Sequence, residues 1–234
     1  MRFTKTGFAL LVGSLIALTY CALTEDRFGW DLTITRWVQT MDTETLGPIV
    51  SPLYWMRLQG VAGVLLAVAA GWLWFKGKRS EALFLCLVVV GAIINIYLRH
   101  WIDRPRPTPD LVNVISEVEG NGFPSGHALQ IILTFGFLLY LSGFMMKTGP
   151  LRCVLWAFLG ISIPIVGVWL VYCGRHWPSD VIAGYLYGAL YLWLLIWSYR
   201  KYVGWRRQHP TNHISREALP AIVQPFAWIL KMVY

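Results

Sequence analysis

Two histidines in this 234-residue chain have neighbours suited to nucleophilic and acid–base chemistry. His127 closes the stretch FPSGH, residues 123–127, immediately before a long apolar run. His176 lies in GRHWPSD, residues 174–180, four positions before Asp180. Pro178 fits the first turn of a helix there, so the Asp180 carboxylate can reach back to one imidazole nitrogen. A carboxylate on one nitrogen fixes the tautomer and leaves the other nitrogen as a nucleophile. A third cluster, RHWIDRPRP, residues 99–107, carries Arg99, Arg104 and Arg106, whose planar and permanently charged donors suit phosphate oxygens. Ser125 and Gly126 stand at a helix start, where unpaired N–H groups and the positive dipole end favour an anion, and Gly126 lets the backbone approach closely. The plainer alternative is that Pro124 and Ser125 only start and cap a helix. Two histidines flanking an anion site can divide the labour, one attacking phosphorus and the other protonating the leaving oxygen.

The elements that must hold these clusters are membrane helices. Hydrophobic residues make up 56% of the chain, charged residues only 14%, and mean hydropathy is +0.53. Charge-free stretches occupy residues 7–24, 58–75, 82–98, 128–146, 153–174 and 181–199, each near the roughly 20 residues that a bilayer requires. The expected fold is all-α: one bundle of six transmembrane helices forming a single domain over residues 1–234, with a motif core at 99–180 and an interfacial tail at 205–234. The first stretch follows Arg2 and Lys5 but precedes no A-x-A site, so it reads as an uncleaved helix rather than a signal peptide. Residues 25–57 form a long external connection whose GPIVSPLYWM segment is expected in the headgroup layer. Trp30, Trp37, Trp101, Trp177 and Trp205 fit an aromatic belt.

The net charge of +8 is mostly a topology signal. With both termini cytoplasmic, Arg2, Lys5, Lys76, Lys78, Arg79, Lys147, Arg152, Arg200, Lys201, Arg206 and Arg207 share one side, as the positive-inside rule favours. All three polar clusters then lie at the opposite, extracytoplasmic ends of their helices. Nucleic acid is not an expected partner. Cys21, Cys86, Cys153 and Cys173 fall in apolar stretches without paired or metal-like spacing and read as packing residues.

The three ordered motifs resemble the type-2 phosphatidic acid phosphatase superfamily of membrane lipid phosphatases, with vanadium haloperoxidases as soluble relatives. Its pattern is K-x6-RP, then PSGH, then SR-x5-H-x3-D. Arg99 replaces the Lys, Arg106-Pro107 supplies the RP, residues 124–127 match PSGH unchanged, and His176 and Asp180 supply the last motif. Trp169 and Leu170 stand where SR is expected. The resemblance implies that His176 forms a phosphohistidine, Asp180 orients it and His127 is the acid for the leaving group. It also implies that Arg99, Arg106, Ser125 and Gly126 hold the phosphate and that no metal or other cofactor is required. Arg175 and Arg104 are candidates to replace the arginine missing at Leu170.

The implied activity is removal of phosphate from a lipid phosphate or diphosphate by a multi-pass protein of the cytoplasmic membrane, with its site facing outward. Undecaprenyl diphosphate, phosphatidylglycerol phosphate, phosphatidate and lipid A are the candidate substrates, and the bilayer is the other partner. Transfer of the same phosphohistidine to a second acceptor is one alternative. A lipid-phosphate binder weakened by Leu170 is another. Gly184-x-x-x-Gly188 could mark a homodimer face or close packing inside the bundle. Asp103 is expected to pair with Arg104 or Arg99, and Asn95 and Gln130 to contact substrate or bond neighbouring helices. His100 receives no role.

Overall fold

The computed structural model describes residues 5–41, 59–115 and 118–209. Among them lie seven helices and no strand: α1 Lys5–Thr24, α2 Asp31–Val38, α3 Gln59–Phe75, α4 Arg79–Ile102, α5 Gly126–Met145, α6 Pro150–Tyr172 and α7 Pro178–Gln208. Five of these, all except α2 and α3, are long and apolar enough to cross a membrane. The remaining expected span corresponds to α3, a shorter apolar helix of 17 residues. The GPIVSPLYWM segment and residues 210–234 lie outside the described residues, while α7 takes in Trp205–Gln208, the start of the expected tail.

Helices that cross lipid need no hydrophobic outer shell of protein, and these have little of one. Only 17% to 39% of each candidate span is buried within the protein, so most of its apolar surface is left for acyl chains. The interior is a continuous cluster joining α3, α4, α5 and α7, with Leu85, Val88, Leu133 and Phe137 fully buried at its centre. Polar atoms at this depth find partners across helices. Tyr191 Oη donates to the Leu87 carbonyl at 2.9 Å, and Thr19 Oγ1 and Tyr187 Oη share a hydrogen bond of 2.7 Å.

Helices α5 and α7 meet most closely, at small residues. A Cβ added to Gly188 would lie 2.9 Å from the Leu129 carbonyl and 3.0 Å from Ile132 Cβ; one added to Gly184 would lie 2.9 Å from Ala128 Cβ. The Gly184 and Gly188 face is therefore covered inside the bundle, and it offers no surface to a second copy. This approach also fixes the relative height of the two helix starts that carry Ser125 and Asp180.

The external connection contains a helix that its composition does not announce. In α2 the polar Asp31 and Thr35 are fully buried with Val38, while Trp37 is 63% exposed. Arg36 donates to the Leu111 carbonyl at 3.0 Å, and Gln39 Nε2 donates to the carbonyls of Asn113 and Tyr172 at 2.6 and 2.9 Å. These bonds clamp α2 onto the loop after α4 and the end of α6.

Replacing Gly188 by Leu drives a side chain into the α5 backbone. We expect a loss of about 1 to 3 kcal/mol, read as a lower melting temperature in detergent, whereas Gly204→Leu, where nothing lies within 4 Å of the added Cβ, leaves it unchanged.

Candidate active site

Backbone hydrogen bonds knit the three sequence clusters together. The Gly122 N–H donates to the Arg104 carbonyl at 2.8 Å, joining the loop after α4 to the approach to α5. Ser125 N–H donates to the Asp180 carbonyl at 2.9 Å, joining the start of α5 to the start of α7. Arg106 Nη1 donates to the Arg175 carbonyl at 2.6 Å, closing the ring. Clusters separated by up to 80 positions thus form one site at one end of the bundle.

His176 lies at its centre, 1% exposed. Its Nδ1 is 3.6 Å from Asp180 Oδ2, an ion-pair contact too long for a hydrogen bond. Its Nε2 is 3.2 Å from Arg106 Nη1. A guanidinium can only donate, so Nε2 is the acceptor and the imidazole proton resides on Nδ1, facing the carboxylate. The four-residue spacing led to the expectation of a carboxylate near one imidazole nitrogen, and that nitrogen is Nδ1, at 3.6 Å. Burial pushes the His176 pKa well below its ordinary 6.5, and the positive charges of Arg106, Arg99 and Arg175 push it the same way against a bond to the Gly122 carbonyl. The ring is consequently neutral at neutral pH, with its lone pair on the side of the arginines.

Those arginines are crowded. Burial, with the charges of Arg99 and Arg175, lowers the Arg106 pKa to about 10, with Asp180 opposing. Arg106 Nε is bonded to the Gly120 carbonyl at 2.8 Å, and no bond to Nη2 is found among the described residues. Arg99 Nε is buried without an acceptor. Like charges held together with donors to spare favour an anion that would neutralise them.

The start of α5 faces the same space. Ser125 caps the helix: its Oγ accepts from Ala128 N–H at 3.4 Å, and the residue is fully buried. Its hydroxyl is engaged as a cap, as the plainer sequence reading had it. No acceptor is found for the Gly126 N–H among the described residues. A Cβ on Gly126 would sit 2.8 Å from Asn95 Oδ1 and 3.6 Å from Arg99 Nη1, so only glycine leaves that approach clear. Asn95 itself is buried and donates to the Pro124 carbonyl at 3.3 Å. The His127 ring stands 6.5 Å from the His176 ring, centroid to centroid, at an interplanar angle of 66°. Gln130, one turn on, bonds Thr134 within its own helix at 3.3 Å.

Arg104 is placed differently from expectation. It is 1% exposed, and its donors go to the Glu25 carbonyl at 3.2 Å, Ser179 Oγ at 2.8 Å, Asp180 Oδ1 at 2.7 Å and Asp31 Oδ2 at 3.1 Å. Its guanidinium lies 4.4 Å from the centroid of the Phe28 ring. It has one N–H left and no path to the open face, so it is not a phosphate contact. The expected pairing of Asp103 with Arg104 or Arg99 is likewise replaced: Asp103 terminates α4 in the left-handed conformation, φ 54°, and its N–H bonds the Arg99 carbonyl. Leu170 packs with Val38, Ala128, Val171 and Val181, and its carbonyl accepts the Arg175 N–H at 3.1 Å. The residue in the arginine's place therefore anchors the backbone of Arg175, whose charge is felt by both Arg106 and His176.

An apolar groove of about 210 Å³ lies between α4, α5 and α7, lined by residues including Gly91, Ile94, Leu98, Leu129, Leu190 and Leu194, with Leu98 the residue before Arg99 in sequence. Among the described residues no three His, Cys, Asp or Glu side chains cluster as metal ligands.

The fold and site define a polytopic, all-helical membrane protein with an arginine-rich histidine centre at one end of its bundle. It belongs to the PAP2 superfamily, whose family model matches residues 80–203. It is similar to phosphatidylglycerophosphatase B of Bacillus subtilis, 26% identical over 136 residues, or 56% of this chain and 64% of that protein, slightly under two thirds of its length. It is also similar to an undecaprenyl-diphosphatase of Sulfolobus acidocaldarius, 28% identical over 186 residues, covering 77% of this chain and 84% of that one. The crystal structure of a transmembrane PAP2 type phosphatidylglycerolphosphate phosphatase from Bacillus subtilis superposes with a TM-score of 0.50 at 18% identity, covering 82% of this chain and 87% of that chain. That likeness is one of fold.

Histidine-selective NMR in detergent is expected to show His176 titrating well below pH 6.5. Arg106→Ala removes a positive neighbour and moves that titration toward 6.5. A His176 that titrates at 6.5 in the unmutated protein contradicts the burial and charge environment described.

Proposed function

We propose that the protein is a lipid phosphatase that acts from the extracytoplasmic face through a phosphohistidine. The observation that carries this reading is the placement of the His176 ring, with Nε2 3.2 Å from Arg106 Nη1 and Nδ1 3.6 Å from Asp180 Oδ2; a guanidinium only donates, which assigns the lone pair to Nε2. In the reaction, phosphate oxygens replace Nε2 as the acceptor for Arg106 Nη1. Arg99, the Gly126 N–H and Arg175 complete the cradle. His176 Nε2 attacks phosphorus, the bond to the leaving oxygen breaks, and His127 gives that oxygen its proton. The two rings stand with centroids 6.5 Å apart, which puts both beside the same space. Water then attacks the phosphohistidine, His127 accepts the water's proton, and phosphate leaves with His176 restored.

The substrate is a lipid whose chain occupies the apolar groove between α4, α5 and α7. Of the candidates, undecaprenyl diphosphate, phosphatidylglycerol phosphate and lipid A agree with what similar proteins are named for; the first would be cleaved at a phosphoanhydride, and the other two, like phosphatidate, at a phosphate monoester. Arg175 takes the place of the arginine absent at Leu170, supplying charge to the transition state from five positions further on. A basic side opposite the site supports an outward-facing centre in the cytoplasmic membrane. No step needs a metal.

Phosphate release from a panel of these lipids in EDTA tests the reading. Wild type is expected to release phosphate, His176→Ala to release none, and Arg175→Ala to lose a factor of roughly 10² to 10³. Turnover that survives in His176→Ala contradicts the mechanism; Arg175→Ala at wild-type rate removes the substitution for Leu170 and leaves the rest standing.

A further inference from the structure

Asp31 is a fully buried charge that the reaction above does not use. It lies in α2, outside the residues matched by the family model. Its Oδ2 accepts from Phe28 N–H at 2.8 Å, Ser179 Oγ at 2.7 Å and Arg104 Nη2 at 3.1 Å, and its Oδ1 accepts from Ser179 N–H at 3.0 Å. Arg104 Nη1 in turn holds Asp180 Oδ1 at 2.7 Å, while Asp180 Oδ2 faces the Trp177 N–H at 2.9 Å and His176. One guanidinium therefore serves two buried carboxylates, one catalytic and one on the peripheral helix.

We infer that Asp31 is a positioning residue for the nucleophile: by holding the Nη2 edge of Arg104, it limits Asp180 to a single bond from that arginine and keeps Oδ2 turned toward His176. Guanidinium and carboxylate pair best through two parallel bonds. With Nη2 released, the fork of Arg104 can close on both oxygens of Asp180 and draw Oδ2 from the imidazole. The Ser179 hydroxyl stiffens the arrangement, since it accepts from Arg104 and donates to Asp31. Clamping of α2 by Arg36 and Gln39 keeps Asp31 at this depth. The inference rests on the reading of His176 as nucleophile.

Its test uses the full chain in detergent, with Asp31→Asn, Ser179→Ala and His176→Ala compared against wild type. For folded Asp31→Asn we expect kcat to fall roughly 10- to 100-fold at unchanged KM, because a misplaced Asp180 costs transition-state alignment rather than lipid binding. His176 is faced by Arg99 from α4, Arg106 and the Gly122 carbonyl from the following loop, His127 from α5, Arg175 beside it and Asp180 from α7. Removing the negative charge of Asp31 leaves this set more positive, so the NMR titration of His176 moves to lower pH. Because the shift in Asp31→Asn contains the lost charge as well as any displacement of Oδ2, the discriminating readout is Ser179→Ala, which keeps both charges: displacement of Oδ2 lowers kcat at constant KM and moves the His176 titration down, and a merely structural role moves neither. Wild-type kcat and an unmoved titration in folded Asp31→Asn overturn the inference. If Asp31→Asn does not fold, Ser179→Ala leaves both charges in place and is expected to lower kcat about tenfold at constant KM; unchanged kcat overturns the inference there too. A wild type that cleaves no lipid, with the titration shift present, refutes the phosphatase reading while supporting the coupling of Asp31 to His176.

Discussion

One buried arginine organises this end of the protein. Arg104 is enclosed between Asp31 and Asp180, under the Phe28 ring, with no water-facing surface to repay its desolvation. Such a charge is tolerated only with its partners in place, and removal of one partner from a buried pair typically costs about 3 to 5 kcal/mol. The segments that meet at Arg104 are accordingly the ones that build the site: the start of α2, the loop after α4, and the first turn of α7. The approach to α5 is added through the bond from Gly122 to the Arg104 carbonyl. The arrangement of the catalytic groups follows from where this guanidinium finds its acceptors.

Around that ion-paired interior, where one guanidinium meets two carboxylates, lies a layer of like charge. Arg99, Arg106 and Arg175 crowd an imidazole that burial and their own charge keep unprotonated. In the proposed reaction the two conditions serve one chemistry. A phosphate relieves the repulsion among the arginines, and an imidazole without a proton on Nε2 is the form that can attack phosphorus. In the proposed reaction the anionic head of the lipid meets these arginines and its hydrocarbon chain meets the apolar groove of Leu98, Ile94 and Leu190.

The membrane helices were legible in the sequence because each is a charge-free run of bilayer length, and the three motifs because each is a fixed local spacing. The role of Arg104 was not legible. Arg104 and Arg106 differ by two positions in a non-helical segment with Pro105 and Pro107, and alternate residues of an extended chain point to opposite sides. That alternation was the available signal that one faces inward and the other faces the site. Asp31 was hidden for a stronger reason. In α2 Asp31 and Thr35 are buried while Ile34 and Trp37 are outside, and the partner that makes Asp31 burial tolerable lies 73 positions away. The gap at Leu170 was visible as a missing charge, and the backbone bond from Arg175 to the Leu170 carbonyl is the helix-ending turn that Gly174, in the left-handed conformation, provides.

The central claim is that His176 becomes covalently phosphorylated. Rapid quenching of wild type with a phosphate-labelled lipid, followed by digestion and mass spectrometry under alkaline conditions that preserve phosphohistidine, addresses it directly. Label on His176 that appears and decays within a turnover, and is absent from His176→Ala, is the predicted result. Phosphate release without label on His176 at any quench time, or label on another residue, contradicts the account.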